Sequence, residues 1–412
     1  MFQVYDGIDP FEDPVDRFLA EIALSLQLPP SLHAKAGERY EAVRQKLEQH
    51  PNFQGMIEHF YPQGSMSIDA TISTKGTDDE YDLDIVAQLG GRFKEMEPLQ
   101  ILTELEAGLK DYPVQKVLRQ TRCVTLKYAD KMHLDITPTL RLDNSPERES
   151  VIAHAKGPQR QAKDTFVDMN AYAFAEWYKQ RTPMEQRFAK AFHGRWMALD
   201  EAYRAEAEVD DVPEQTNFIV KNTATLALQL LKRFRNIRYA DYEGGRTPPS
   251  VVLSFYAGMA AQPNTPLATM LTRIANFLVR DIRQASLWGK PLHVANPQCQ
   301  NDVLTDRWPE AIEQQNEFAT HLEDLVKGLE VVRSKTLNPA AISDWMRGNF
   351  GEQVVSKAAD RIAKKMGMTV KSAEQQYTRK GRVLLPASCG GLVSAVNSSA
   401  PASAHTFYGV KI

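Results

Sequence analysis

The order of apolar and polar positions changes three times along the 412 residues, and each change predicts a different kind of structure. Residues 14–49 carry apolar side chains at helical spacing, and a Pro-Pro pair at 29–30 interrupts them. Between about 56 and 140, short runs rich in β-branched residues (DLDIVAQL, CVTLKY and HLDITPTL) alternate with helical stretches such as 97–110. This part of the chain is therefore predicted to form a sheet covered by helices.

From about residue 165 the pattern is mainly helical, and it predicts a helical second lobe. The expected helices are 170–180, 185–205, 215–238, 249–261, 266–284, 308–334 and 353–366. From about 385 onwards Ser, Ala and Gly dominate, and such a segment buries too little apolar surface to fold by itself. We expect a mobile tail there, and an α+β fold class for the chain as a whole.

Composition narrows the classes of protein that fit. Hydrophobic residues make up 43% and charged residues 25%, the balance of an ordinary globular protein. The three cysteines, at positions 123, 299 and 389, form no CxxC pair, which favours a reducing compartment and disfavours a zinc site. The acidic N-terminus lacks an apolar core like that of a signal peptide, and no long apolar run predicts a membrane span. A cytoplasmic protein is expected.

Charge points to the size of the substrate. The formal net charge is −3 and the calculated pI is about 6.3. Proteins that grip long nucleic acids usually carry a basic surplus, because neutralising phosphates supplies most of their affinity. A small phosphorylated substrate fits this charge balance better.

The first chemical signal is Gly64-Ser65, after the sequence HFYPQ. At a strand-to-helix turn, glycine lets the backbone approach a phosphate closely, and serine adds a hydroxyl donor. Gly-Ser pairs are also common in ordinary turns. Alone, this pair supports a phosphate site only weakly.

The second signal is the run Asp82-Leu83-Asp84-Ile85-Val86. Strand side chains alternate between faces, so both carboxylates lie on one face while Leu83 and Ile85 point to the core. Two like charges on one face lower strand stability, and a divalent cation would remove that conflict. The alternative is a solvated acidic loop continuing Asp78-Asp79-Glu80, but the apolar residues that follow favour a buried strand.

The third signal repeats the second about fifty residues later. Alternation along HLDITP places Asp135 on one face and its apolar neighbours on the other. A Gly-Ser turn, Asp-x-Asp on a strand and a later strand aspartate together are what two-metal phosphoryl transfer requires. Asp82 and Asp84 would bridge two Mg²⁺ ions, with Mn²⁺ as a substitute, and Asp135 would hold the ion that activates the attacking hydroxyl.

This arrangement resembles the polymerase-β nucleotidyltransferase superfamily, whose motif is matched by Gly64, Ser65, Asp82, Asp84 and Asp135. Within it the chain is similar to bacterial cGAS/DncV-like nucleotidyltransferases (CD-NTases), which make cyclic di- and trinucleotide signals in anti-phage CBASS systems. The resemblance implies a polymerase-β-like lobe with a mixed sheet, a helical lobe and a ligand cleft between them. It also implies that ATP, GTP or other NTPs are joined into a cyclic second messenger with release of pyrophosphate.

The resemblance continues into the helical lobe. LQLLKRFR followed by PSVVL looks like the segment in which family members hold the donor triphosphate, which implies that Lys232 and Ser250 bind nucleotide. The alternative for Lys232 is a solvated, cation-rich helix end shared with Arg233, Arg235 and Arg238. A later stretch, 294–308, is also similar to the family, and there we expect a capped turn leading into a helix.

The same resemblance sets the expected domains and partners. The domains are N-terminal helices contributing to a spine helix (1–50), a catalytic core (51–165), a helical lobe (166–384) and a flexible tail (385–412). An effector would respond to the cyclic nucleotide, and CBASS accessory proteins, including a machinery that conjugates the C-terminus, are implied partners. Neither a membrane nor a long nucleic acid is required.

Two rival functions remain at this stage. The first is a nucleotidyltransferase that makes a linear product on RNA, a protein or a small molecule with the same three aspartates. The second is an inactive nucleotide-binding or scaffold protein, which the presence of all three carboxylates disfavours.

Overall fold

The structure is a computed structural model of the chain. It describes residues 11, 13–28, 30–73, 81–146, 148–186, 222–334 and 338–371, with short pieces at 188, 192–194, 197, 376–378, 383–384 and 399–401. The acidic run 78–80 and most of both the predicted helix 185–205 and the predicted tail 385–412 lie outside these residues.

A seven-stranded mixed sheet forms the first lobe. Its strands are β1 (Ile57–Gln63), β2 (Tyr81–Leu89), β3 (Lys116–Arg119), β4 (Val124–Lys127), β5 (Met132–Arg141), β6 (Ser150–His154) and β7 (Thr165–Met169). The order is β1-β2-β5-β4-β3, and β5 also pairs with β6, which pairs with β7. Strands β2 and β5 run parallel, and the other pairs of this sheet are antiparallel.

Helices flank the sheet and build the second lobe. They are α1 (Pro14–Ser25), α2 (Pro30–Gln49), α3 (Gly64–Ser67), α4 (Pro98–Leu109), α5 (Ala171–Arg181), α6 (Thr223–Arg238), α7 (Ser250–Ala260), α8 (Leu267–Leu287), α9 (Ile312–Arg333), α10 (Pro339–Phe350) and α11 (Glu352–Lys371). A 3₁₀ helix covers Gly91–Glu95, and a hairpin joins β8 (Ala295–Asn296) to β9 (Cys299–Val303). A small sheet contains β10 (Gln376–Thr378), β11 (Val383–Leu384) and β12 (Ser399–Pro401).

Two hydrophobic cores correspond to the two lobes. The smaller core lies between one face of the sheet and helices α2 and α4, and it buries Leu83 and Ile85 of β2 completely or nearly so. The larger core joins α1 with α5 and with helices α6 to α11. Because Leu83 and Ile85 face the smaller core, Asp82 and Asp84 project from the opposite face of the sheet.

Buried polar contacts fix how the lobes meet. Gln229 of α6 is fully buried, and its side-chain amide donates to the backbone carbonyl of Thr71 at 2.7 Å. Gln229 also exchanges hydrogen bonds with Gln27, which follows α1. These hydrogen bonds hold the segment after α3 against the helical lobe, and so fix the position of Thr71, which lines the cleft between the lobes.

The sequence predictions for the elements are confirmed in most places. The predicted α+β fold class, the helix break at 29–30, the strand pattern of β2, β4 and β5 and the Gly-Ser strand-to-helix turn all appear. The prediction for 294–308 was wrong, because this stretch forms the β8–β9 hairpin and the next helix begins only at Ile312. Helix α10 and strands β3, β6 and β7 were not predicted. In the described part of the chain, no helix is both long and apolar enough to cross a membrane.

Gln315 of α9 anchors the loop that leads into this hairpin, and it provides a test of the fold. Its buried side chain accepts from Leu292 N at 2.6 Å and donates to Ser286 Oγ at 2.7 Å and Lys290 O at 3.1 Å. Gln315→Leu leaves the buried Leu292 N–H without this acceptor, so we expect the free energy of unfolding to fall by roughly 2 kcal/mol. Chemical denaturation measures this change.

Gln284→Leu is the matched control, since it makes the same replacement at an exposed position of the neighbouring helix α8. Its free energy of unfolding should stay within roughly 0.5 kcal/mol of the unmodified protein. Equal losses in the two variants would contradict an anchoring role for Gln315.

Candidate active site

Two carboxylates meet where the parallel strands β2 and β5 lie side by side. In the register of this pair, Asp84 is opposite Asp135 and Asp82 is opposite His133. Burial, followed by the charges of Asp135 and Asp82, raises the pKa of Asp84 to about 7, and Lys232 opposes that rise. The fold therefore holds negative charges together at a cost in stability, which is the arrangement expected of a functional site.

Each partner carboxylate is oriented by a neighbour. Thr125 of β4 donates its hydroxyl to Asp135 Oδ1 at 2.5 Å, and this bond partly offsets the rise in the pKa of Asp135 that burial causes. Asp82 is the most accessible of the three, with 60% of its side chain exposed, and its Oδ1 lies 3.4 Å from His133 Nδ1. Neighbouring side chains therefore orient the carboxylates of Asp135 and Asp82, and the group is exposed to solvent on the side of Asp82.

Gly64 is required at the turn beside them for two separate reasons. Its φ is +59°, in the left-handed region that favours glycine. A Cβ at this position would lie 2.4 Å from Asp84 Oδ2, closer than real contacts allow. The backbone of the turn is therefore pressed directly against the carboxylate, with no room for any other side chain.

Ser65 and two residues of the helical lobe complete the predicted set. Ser65 lies at the start of α3, and its Oγ is 3.2 Å from the hydroxyl oxygen of Thr71. Lys232 of α6 is buried, and its Nζ donates to the carbonyl of Ala70 at 2.9 Å. Ser250 is the first residue of α7. The structure brings all of these predicted residues except Asp135 to the wall of one cleft of about 470 Å³, and Asp135 is the register partner of Asp84 on the neighbouring strand.

Arg235 is a functional candidate that the sequence pattern did not single out. Its guanidinium donates to Ser250 Oγ at 3.0 Å, to Pro248 O at 2.7 Å and to Asn236 Oδ1, and it lines the cleft. In the described part of the chain, none of its bonds is to a carboxylate. Burial lowers the pKa of Arg235 to about 10. A desolvated cation without a carboxylate partner is suited to an anionic ligand.

The far end of the cleft has a different character. Its walls include the apolar side chains of Ile152, Val167, Val303 and Leu304. Three aspartates, Asp168, Asp302 and Asp306, also line this part of the cleft, and Arg122 of the sheet lobe forms an ion pair with Asp306. The expected signature at 294–308 thus supplies cleft residues. Asn301-Asp302 was visible in the sequence of this stretch. The hairpin and its position at the cleft were not predicted, because no sequence pattern there indicated either one.

The donor set fits divalent metal ions that share a substrate. Within the described residues, no three His, Cys, Asp or Glu side chains form a cage that would hold a metal by itself. Mg²⁺ commonly takes one or two carboxylates from the protein and its remaining ligands from phosphates and water. The raised pKa of Asp84, caused in part by Asp135 and Asp82, is a conflict that such a cation relieves.

The cleft as a whole matches the chemistry of a nucleoside triphosphate. One end offers carboxylates for metal, a glycine turn, Lys232 and Arg235, which together suit phosphates. The other end offers apolar walls with polar acceptors, which suit the faces and the edge of a base.

Comparison with known proteins agrees with this assignment. Residues 14–181 match the family described as Second Messenger Oligonucleotide or Dinucleotide Synthetase domain. The chain is 49% identical over 405 residues to the cyclic dinucleotide synthase CdnG of Bradyrhizobium diazoefficiens, covering 97% of this chain and 96% of that protein. It is 24% identical over 402 residues to a c-di-GMP synthase of Roseivirga ehrenbergii, covering 95% and 96%.

Solved structures give the same answer for the fold. The Bradyrhizobium diazoefficiens CD-NTase CdnG in complex with GTP superposes with a TM-score of 0.75 at 48% identity, covering 85% of this chain and 99% of that one. The apo form of Vibrio cholerae DncV superposes with a TM-score of 0.51 at 15% identity, covering 85% and 89%, and it bears on the fold alone. Taken with the extent and identity of the CdnG match, this makes the chain a member of the second messenger oligonucleotide or dinucleotide synthetase family, the bacterial CD-NTases of cGAS/DncV-like fold.

Proposed function

We propose that the protein is a cyclic oligonucleotide synthase that joins NTPs, with GTP among them, and releases pyrophosphate. The observation that carries the proposal is the register of β2 and β5, which sets Asp84 opposite Asp135 beside the Gly64 turn. The named activity of the CdnG relative and its complex with GTP support the choice of reaction and substrate.

In this proposal the donor triphosphate lies along the cation-rich end of the cleft. Ser65 and Ser250 donate hydroxyls to its phosphates, and Lys232 and Arg235 balance its charge. Lys232 reaches from α6 across to the segment after α3, so both lobes hold the same phosphates. The acceptor hydroxyl is positioned beside the α-phosphate, and this removes much of the entropic barrier.

Asp82 and Asp84 would hold two Mg²⁺ ions, with Mn²⁺ as a substitute, and Asp135 would share the ion on the acceptor side. When bound, these ions supply Lewis-acid stabilisation of charge on the reacting phosphate. Asp135 would also take the proton of the acceptor ribose hydroxyl, and the hydrogen bond from Thr125 orients its carboxylate. A second transfer within the same site would close the ring.

Several wider assignments belong to the same proposal. We assign residues 1–50 to N-terminal helices that contribute to the spine, 51–165 to the catalytic core, 166–384 to the helical lobe and 385–412 to a tail. The protein would act in the cytoplasm within CBASS anti-phage signalling, through an effector that binds the cyclic product. Conjugation of the C-terminus by an accessory machinery would concern the tail 385–412, of which the structure describes only 399–401.

The decisive experiment incubates the purified protein with all four NTPs and Mg²⁺ or Mn²⁺, and analyses phosphatase-treated products by mass spectrometry. A phosphatase-resistant product without terminal phosphates supports cyclisation and names its bases. A linear ladder, or transfer that occurs only when RNA or a protein is added, contradicts the proposal in favour of the linear alternative.

Replacing the metal-binding carboxylates should separate chemistry from folding. Asp82→Asn with Asp84→Asn should lower product formation at least about 1,000-fold, because charge stabilisation of the transferred phosphate is lost. The melting temperature without divalent metal should equal or exceed that of the unmodified protein, since like charges are removed. Asp143→Asn, at an exposed carboxylate outside the cleft, is the control and should keep full activity.

Substitution of Gly64 tests the close approach of the turn to Asp84. Gly64→Ala should lower product formation at least about 100-fold, because its Cβ displaces the carboxylate from its position. Gly55→Ala is the matched control, since Gly55 also has a left-handed backbone, with φ of +71°, but open space around it. Both variants carry a similar backbone strain of about 1–2 kcal/mol. Equal activities would show that strain alone matters.

Removal of Arg235 tests the phosphate end of the cleft. Arg235→Ala should weaken GTP binding roughly 10- to 100-fold, as expected for a lost charge-assisted bond, and GMP binding by less than about threefold. Isothermal titration calorimetry with both ligands measures the difference. Arg238→Ala is the control, because Arg238 is exposed on the same helix and bonds to Asn349 instead. Parallel losses for GTP and GMP would contradict a phosphate contact.

A further inference from the structure

A buried polar cluster joins the β8–β9 hairpin to the end of the sheet. Asn296 is fully buried, and its Nδ2 donates to Asp302 Oδ2 at 2.8 Å and to the carbonyl of Asn170 at 2.9 Å. The backbone N–H of Asn170, also fully buried, donates to the same Asp302 Oδ2 at 3.1 Å. Asn170 in turn caps α5 by accepting from Ala173 N. These bonds hold the Asp302 carboxylate in one orientation.

The two oxygens of Asp302 differ in their surroundings. Oδ2 receives both N–H donors, whereas Oδ1 has no hydrogen-bond partner among the residues that the structure describes. Asp302 nevertheless lines the cleft. Burial raises the pKa of Asp302, and the bonds from Asn296 and Asn170 oppose that rise. A fixed carboxylate with one oxygen available at a cleft wall is preorganised to accept a hydrogen bond from a ligand.

The neighbouring carboxylate does not offer the same opportunity. Asp306, four residues further along, also lines the cleft, but its Oδ2 is occupied by the guanidinium of Arg122. Besides Asp168, the cleft lining near Asp302 includes the apolar side chains of Ile152, Val167 and Leu304. A hydrogen-bond acceptor next to apolar side chains is typical of sites that bind a nucleobase, because the apolar groups contact the faces of the ring and the acceptor bonds to its edge.

Orientation of the ligand follows from the two ends of the cleft and rests on the proposed function. If a nucleoside triphosphate places its phosphates near Ser65, Lys232 and Arg235, its base lies towards the apolar end. Asp302 then faces the base and not the phosphates. A carboxylate near phosphates would repel them, so its place at this end is consistent with that orientation.

We propose that Asp302 is a specificity-determining residue that selects guanine over adenine by accepting hydrogen bonds from the Watson–Crick edge of the base. Guanine presents two adjacent donors there, the N1–H and the 2-amino group. Adenine presents an acceptor, N1, beside its amino group, so a carboxylate meets a lone pair. A site built to bond a ligand N–H discriminates strongly against an analogue that lacks it, because a buried polar group is then left unpaired.

The test exchanges an acceptor for a donor while preserving the clamp. In Asp302→Asn the amide oxygen can still accept from Asn296 and Asn170 at the position of Oδ2, while an NH₂ group replaces Oδ1. Affinities for non-hydrolysable GTP and ATP analogues, measured by calorimetry with Mg²⁺, give the guanine-to-adenine ratio. We expect the unmodified protein to prefer the guanine analogue and Asp302→Asn to lower that ratio at least 10-fold.

Asp306→Asn is the matched control, since it makes the same exchange at a cleft carboxylate that is already paired. It should leave the guanine-to-adenine ratio unchanged, whatever it does to activity. Equal weakening of both analogues by Asp302→Asn would mean that Asp302 only holds the hairpin, and would overturn the proposal. Absence of a guanine preference in the unmodified protein overturns it without any variant.

The outcome is separable from that of the proposed function, because the readout is binding and not turnover. Guanine preference that Asp302→Asn abolishes, in a protein that makes only linear products, would sustain the role of Asp302 and refute cyclisation. Cyclic product formation with an unchanged ratio in Asp302→Asn would do the reverse.

Discussion

The fold of the catalytic lobe is organised around one unfavourable interaction, the approach of Asp84 and Asp135 on adjacent parallel strands. Apolar residues on the other face of the same strands provide the compensation, since Leu83, Ile85, Leu134 and Ile136 are buried against helices α2 and α4. Burying such side chains contributes about 1.5–3 kcal/mol each, enough to hold the carboxylates in place. The smaller core therefore stabilises the position of the charges, and the face opposite to it becomes the reactive one.

The helical lobe contributes through a few buried polar contacts. Gln229 and Lys232, one turn apart on α6, both donate to backbone carbonyls of the segment that follows α3. The Gly-Ser turn that faces Asp84 is thus supported from both lobes. A triphosphate held between them would meet donors that are already oriented, which is where electrostatic preorganisation obtains its effect.

The sequence predicted the parts of the site whose signal is local. Charged residues on one face of an otherwise apolar strand contradict ordinary strand composition, so alternation together with the Gly-Ser turn predicted Asp82, Asp84 and Asp135 as site residues. Lys232 and Ser250 needed the family resemblance, because a cation-rich helix end has an equally good structural explanation.

Residues whose role depends on tertiary partners could not be found in this way. Arg235 is distinguished by partial burial that lowers its pKa and by hydrogen bonds to neutral oxygens, and Asp302 by the bonds from Asn296 and Asn170 to one of its two oxygens. Helix α10 is a different case: Asn338 as the cap and Pro339 at the first helical position were a readable start signal that was overlooked. The hairpin at 295–303 was missed because its short strands carry polar residues.

The parallel pairing of β2 and β5 also has a consequence for folding. Parallel neighbours need a crossover, and here α4, β3 and β4 separate Asp84 from Asp135 by about fifty residues of chain. Bringing the two carboxylates together therefore requires closure of a long loop, which costs conformational entropy. Asp84 and Asp135 are not held together in the unfolded chain. A cation that binds between these strands would therefore favour the folded lobe and raise its free energy of unfolding.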